Sequence, residues 1–241
     1  MAWCTPVCAV GFDSSGSRVW ENWSSPIISR SDDISWFDDY HPEQLEELFP
    51  RFMSRWCNKE WNDTLKKVIY WYVIANNVND DVGIILAHTA LERLSYQCYK
   101  AKIGLTEDQS KDLKNLFDLL EIPDFIIDDI PELRNLLPNF RNFFEKINKG
   151  IKEKKFKDLS KNKRNKQTTT PLVLSEIRNY LVHPNHKYDS VDFSQAIHDT
   201  NKLGLWYLEL SLLNLFKYPG KYYNRLEFGY VGKVSEITRK K

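Results

Sequence analysis

Leu203-Gly204-Leu205-Trp206-Tyr207-Leu208-Glu209-Leu210-Ser211-Leu212-Leu213-Asn214-Leu215-Phe216 is the longest apolar run in the chain. Glu209 and Asn214 interrupt it, and it falls short of the roughly 20 apolar residues that a membrane span requires. The run therefore reads as part of a strongly apolar helix in a soluble, cytoplasmic protein. That helix is expected to start at Asp189 or Ser190 and to reach about Lys217, where Pro219-Gly220 ends it.

Upstream of this run the signals are again helical. Pro42 opens a segment to Cys57 with Leu45, Leu48, Phe52 and Trp56 at helix spacing, and Pro50 within it predicts a kink or a break. Residues 60–77 continue with Trp61, Leu65, Val68, Ile69 and Tyr72. Asp80 or Asp81 is suited to cap a helix from Val82 to about Lys102 that is apolar on more than one side. Thr106-Glu107-Asp108-Gln109 resembles an N-cap before a short helix to about Leu120. Residues 121–145, with Pro123, Pro131 and Pro138, are expected to mix short helices and turns. Thr170-Pro171 starts a further helix to about Val182. The expected architecture is an all-α bundle.

The first 40 residues differ. Two extended pieces, Trp3–Phe12 and Arg18–Trp23, flank the turn signal Asp13-Ser14-Ser15-Gly16. They read as an extended N-terminal appendage, or as the remnant of a larger protein whose preceding domain is missing. Residues 41–220 form the helical domain, and 221–241 a polar and aromatic C-terminal tail in which one short strand is expected. The 241 residues are 42% apolar and 14% aromatic, enough for a substantial core. A net charge of only +1 gives no general affinity for nucleic acid. The charge is uneven, however: Lys146 to Lys166 holds ten Lys or Arg against Glu153 and Asp158. This basic loop, with Lys161, Lys163, Arg164 and Lys166 nearest the following helix, reads either as a track for an RNA backbone or as a solvated connection. Cys4, Cys8, Cys57 and Cys98 form no CxxC pair and are expected as reduced thiols. No metal site and no cofactor are expected.

The chemistry-bearing stretch is Arg178-Asn179-Tyr180-Leu181-Val182-His183. Leu174, Ile177 and Leu181 define an apolar stripe, and Arg178 falls on its edge. An arginine there must be paired or must line a site, because its charge is costly to bury alone. Pro184 pushes His183 out of helical geometry, which places the imidazole at the helix end. A structural reading makes these a capping histidine and a salt-bridged arginine. A catalytic reading has Arg178 bind phosphate oxygens bidentately, Asn179 orient the phosphate or ribose, and His183 transfer a proton. Attack by an RNA 2′-hydroxyl on the adjacent phosphorus needs no metal. His186 is placed to assist at the site, or is a solvated loop histidine. His88 and Glu92 share a helix face at a spacing that can ligate metal, but a second ligand pair is lacking. Glu92 is expected to pair with an arginine inside the bundle, Arg178 among the candidates. His41 and His198 read as structural or solvated.

Arg178-Asn179-Tyr180-Leu181-Val182-His183 resembles the Arg-polar-x-x-x-His motif of HEPN domains, small helical bundles found in many toxins and anti-phage nucleases. Ala90-Leu91-Glu92-Arg93-Leu94, following Trp71-Tyr72, is similar to the "LExL" helix of large HEPN proteins of the ApeA anti-phage group. Trp20–Trp36 and Tyr223-Asn224-Arg225-Leu226 are similar to the flanks of that domain. The resemblance implies a HEPN-like bundle and a homodimer with a composite active site. It implies cleavage of RNA to a 2′,3′-cyclic phosphate, a defence or toxin role, and a separate or missing sensor domain. The alternative it allows is a non-catalytic module that binds RNA, a nucleotide or a partner protein.

Overall fold

A computed structural model describes residues 8–23, 35–37, 40–122, 170–183, 194–226 and 234–237, with only the backbone at 8, 9, 20–23 and 170. The chain divides into two compact units, residues 1–34 and 35–241.

In the first unit, β1 (Cys8–Phe12) pairs antiparallel with β2 (Arg18–Trp23), as the turn signal predicts. Asp13 makes the turn. Its Oδ1 accepts from the backbone N–H of Ser15 at 2.8 Å and of Ser17 at 3.0 Å. Gly16 takes a φ of +80°, which a residue without Cβ adopts at no steric cost.

The second unit is helical: α1 (Glu43–Trp56), α2 (Lys59–Asn77), α3 (Asp80–Lys100), α4 (Leu113–Leu119), α5 (Thr170–Val182) and α6 (Ser194–Leu215). The all-α expectation holds. α1 passes through Pro50 without a break. Pro50 and Glu46, whose carbonyl loses the helical bond, are both exposed, so water can serve that carbonyl. Thr106 and Gln109 form a reciprocal cap, with Thr106 N–H donating to Gln109 Oε1 and Gln109 N–H to Thr106 Oγ1. The cap opens a single 3₁₀ turn, and α4 begins only after Asp112, which caps it separately.

α2 and α3 are antiparallel neighbours joined by Val78 and Asn79, with Thr64 Oγ1 donating to Gln97 Oε1 across the pair. α3 and α6 run the same way. Asp80 at the start of α3 accepts from Asn201 Nδ2 at 2.8 Å and lies 3.0 Å from His198 Nδ1, both early in α6. Small residues let these helices approach. A Cβ on Gly83 would stand 2.4 Å from Asn201 Oδ1, and one on Gly204 would stand 3.3 Å from Leu174 Cδ2 and 3.4 Å from Ala87 Cβ. Gly204 thus marks the point where α3, α5 and α6 meet.

α6 is buried on most sides, from Leu203 through Leu208 and on to Leu215. This is the behaviour of a helix that is apolar all round. Tyr207 stacks on Phe117 at 4.5 Å and meets Trp206 edge-on at 4.9 Å. α3, α4 and α6 end in left-handed residues, Lys102, Glu121 and Lys217. In each case the next residue's N–H reaches back to close the last turn, as from Tyr218 to the Leu213 carbonyl at 2.9 Å.

The segment read as a tail is instead built into this core. β3 (Lys221–Tyr222) pairs antiparallel with β4 (Ser235–Glu236). Tyr222 is fully buried and its hydroxyl accepts from Trp206 Nε1 at 2.9 Å. Arg225 forms a buried ion pair with Glu209 of α6. No described helix is long and apolar enough to cross a membrane.

Candidate functional site

α5 places the residues singled out by their spacing. Val173, Leu174 and Ile177 are buried, and they seat the helix against α3 and α6. Arg178 lies beside this stripe and is half-buried, whereas Asn179, Val182 and His183 are exposed. Val182 is the last helical residue, and the His183 N–H still donates to the Asn179 carbonyl at 2.9 Å. Arg178 Nη1 donates to Asn179 Oδ1 at 3.1 Å. Asn179 thus holds the Arg178 guanidinium through its side chain, while its carbonyl takes the last helical bond from the His183 N–H. His183 presents its ring at an exposed helix end and does not enter the core.

On its inner side Arg178 is less well served. Its Nε is enclosed and has no hydrogen-bond partner among the described residues. The nearby acid is Glu92 on α3, which is not in direct ion-pair contact with it. His88, one turn earlier on α3, is the closer group, with Nδ1 3.6 Å from Glu92 Oε2. His88 holds the Glu92 carboxyl below its usual range, with partial burial opposing and Arg178 adding a weaker pull. The expected Arg178–Glu92 pairing is thus a through-space attraction within a larger polar cluster. Ser175 completes that cluster, its Oγ 3.4 Å from His88 Nε2. Sequence reading missed Ser175. The available signal was its position three residues before Arg178, on the same face of α5.

The described residues hold no group of three or more His, Cys, Asp or Glu able to bind a metal. Lys161, Lys163, Arg164, Lys166 and His186 lie outside the described residues, as does the rest of the basic stretch 146–166. Cys57 and Cys98 are free thiols, and burial pushes the Cys98 thiol up to about 11. Cys4 and the Cys8 side chain also lie outside the described residues. His198 is bound to Asp80, and His41 to Glu43 at 2.8 Å.

Glu176, also on α5, gives a test of this helix's surroundings. Burial raises its carboxyl above the ordinary value. The folded protein therefore holds that proton more tightly than the unfolded chain, and stability falls as pH rises through the raised range. The penalty is complete above that range and absent once both states are protonated. Glu176→Gln should raise the urea midpoint at pH 7 and leave it unchanged below about pH 4. An equal midpoint at both pH values would show that the carboxyl is fully hydrated.

A family model described as the YopA C-terminal domain matches residues 58–236. The SPbeta prophage-derived uncharacterized protein YopA of Bacillus subtilis (strain 168) is 26% identical over 223 residues, which is 91% of this chain and 45% of that protein. The chain thus spans about half the length of this relative. No solved structure matches the chain significantly.

Proposed function

The chain belongs to the YopA C-terminal domain family, a kinship that leaves the chemistry to be read from the site, and from the site we propose a metal-independent endoribonuclease. The observation that carries this reading is the Arg178–Asn179–His183 arrangement at the open end of α5. Arg178 offers fixed N–H donors and a permanent positive charge for phosphate oxygens, where negative charge grows in the transition state. His183, exposed at the helix end, takes or returns the proton of the attacking 2′-hydroxyl or the departing 5′-oxygen. The 2′-oxygen bonds to phosphorus as the bond to the 5′-oxygen breaks, leaving a 2′,3′-cyclic phosphate and a 5′-hydroxyl. No water and no metal enter this step, and DNA lacks the nucleophile.

The motif's likeness to that of HEPN domains supports the same reaction and a symmetric dimer in which two such helices share one site. The prophage origin of the YopA relative fits a role in conflict between phage and host. The basic stretch 146–166 would add backbone affinity. A second reading, a binding module without catalysis, is favoured by the half-buried setting of Arg178, which is suited to holding a phosphate without cutting.

The two part in one experiment, cleavage of an end-labelled single-stranded RNA in EDTA by the wild type and by His183→Ala. The ribonuclease reading expects a cyclic phosphate end from the wild type and a loss of about 10²–10⁴-fold in the variant, with folding and self-association kept. No cleavage with tight RNA binding by both would replace it with the binding module, and equal cleavage by both would remove His183 from the step.

A further inference from the structure

Helices α1, α2 and α6 wall a cavity of about 290 Å³ in which the reaction proposed at α5 has no part. α1 gives it Leu48 and Phe52, α2 gives Ile69 and Val73, and α6 gives Leu212 and Leu213. Trp36 adds a further wall, and its carbonyl accepts the Tyr223 N–H at 2.7 Å. Leu45 and Phe49 of α1, 47% and 60% exposed, mark the mouth. The Phe52 ring is braced by Trp56 at 5.2 Å and edge-on by Phe216 at 5.6 Å. It cannot turn into the space without losing both contacts, so the walls hold the cavity open.

The chemistry of the lining selects the occupant. The one carboxylate in the wall, Glu209, accepts from Arg225 and from the Tyr72 hydroxyl, so neither Glu209 nor Tyr72 offers a ligand an uncompensated charge or a free donor. Water needs two to four polar partners to settle in a cavity and finds few here. An anion such as phosphate would lose its hydration with no compensating bond. A single turn of a partner helix, about 10 Å across, fills more than this space. An extended peptide would leave main-chain N–H and C=O groups without partners. We infer that the cavity between α1, α2 and α6 is a binding site for an uncharged, largely apolar small molecule. Its volume falls near the lower end of small-ligand sites, roughly 300–1,000 Å³, and exceeds the roughly 150 Å³ of an apolar cavity that takes up benzene.

The test titrates the full chain with N-phenyl-1-naphthylamine, an uncharged apolar fluorophore, and follows its emission. Saturable binding of one probe per chain is expected. Phe49→Glu, at an exposed position, sets a carboxylate at the mouth and should weaken binding about tenfold or more while the thermal midpoint moves by only a few degrees. Val73→Phe fills the space and should weaken binding at least as much. Should Val73→Phe not fold, Phe49→Glu carries the test. Anilinonaphthalene sulfonate, of similar ring size but charged, should bind about tenfold more weakly than the neutral probe. An absence of saturable binding, equal affinity in the wild type and folded Phe49→Glu, or tighter binding of the sulfonate overturns the inference. Sedimentation velocity on the same samples tests the competing occupant, a second copy of this chain. A dimer that Phe49→Glu dissociates would assign the face to that copy and overturn the inference as well. RNA cleavage enters none of these readings, so the ribonuclease proposal stands or falls separately.

Discussion

Arg225→Met should lower the free energy of unfolding by about 3–5 kcal/mol, a large part of the roughly 5–15 kcal/mol that holds a typical protein folded. Glu209 is fully buried and Arg225 is 5% exposed. Arg225 Nε donates to Glu209 Oε2 at 3.0 Å, Nη2 donates to Glu209 Oε1, and the same Nη2 donates to Asn76 Oδ1 at 3.0 Å. The Tyr72 hydroxyl supplies a further donor to Glu209 Oε1 at 2.5 Å. Burial and the Glu209 charge push the Tyr72 phenol far up, so it stays protonated and keeps donating. Burial works against the charge of Arg225, but the Glu209 carboxylate more than offsets it and holds the guanidinium above its ordinary range.

Removing Arg225 alone strands a carboxylate inside an apolar helix. Removing both charges, as in Arg225→Met with Glu209→Met, should recover at least half of the loss, since apolar replacements of a whole buried pair are often neutral. Urea unfolding of the two variants measures both quantities. A single-mutant cost under about 1 kcal/mol would mean that Glu209 reaches water when its partner goes.

Arg178→Lys should cost about 10²–10³-fold in RNA cleavage while leaving the fold intact. Lysine keeps the charge but presents a point ammonium in place of a planar fork, so it can neither hold two phosphate oxygens at once nor donate to Asn179 from the same place. Affinity for a 2′-deoxy analogue of the substrate should fall much less, because attraction between charges is retained. The comparison separates stabilisation of the transition state from simple binding. Cleavage at the wild-type rate by Arg178→Lys would remove the bidentate role and leave Arg178 as a general counter-charge.

The helices were legible because their causes are local. Apolar residues recur at helix spacing in α2, α3 and α6, Asn58 and Asp112 cap their helices through their own side chains, and Asp13 builds its turn within five residues. Arg178 at the edge of an apolar stripe was legible for the same reason, since its place follows from Leu174 and Ile177 on the same helix. Pro50 misled because proline's penalty depends on whether the carbonyl it abandons can reach water, and exposure is not a local property.

Glu209 and Arg225 were visible one by one, as an interruption in α6 and as a charge in a presumed tail. Their pairing spans 16 residues through a helix end, a turn and a strand. Ser175 could not be linked to His88, 87 residues away, by any pattern along the chain.

What the sequence determined by itself is the helical class, the hairpin turn and the place of Arg178 at the edge of its helix's apolar stripe. Each depends on neighbours within a few residues and on the fixed periods of helix and strand. What only the tertiary structure decided is which polar groups are enclosed together. Burying a polar group or charge is unfavourable until a partner from another segment arrives, and tertiary packing delivers those partners: α3 against α5 sets His88 beside Ser175, and the chain after β3 returns to α6 to set Arg225 beside Glu209.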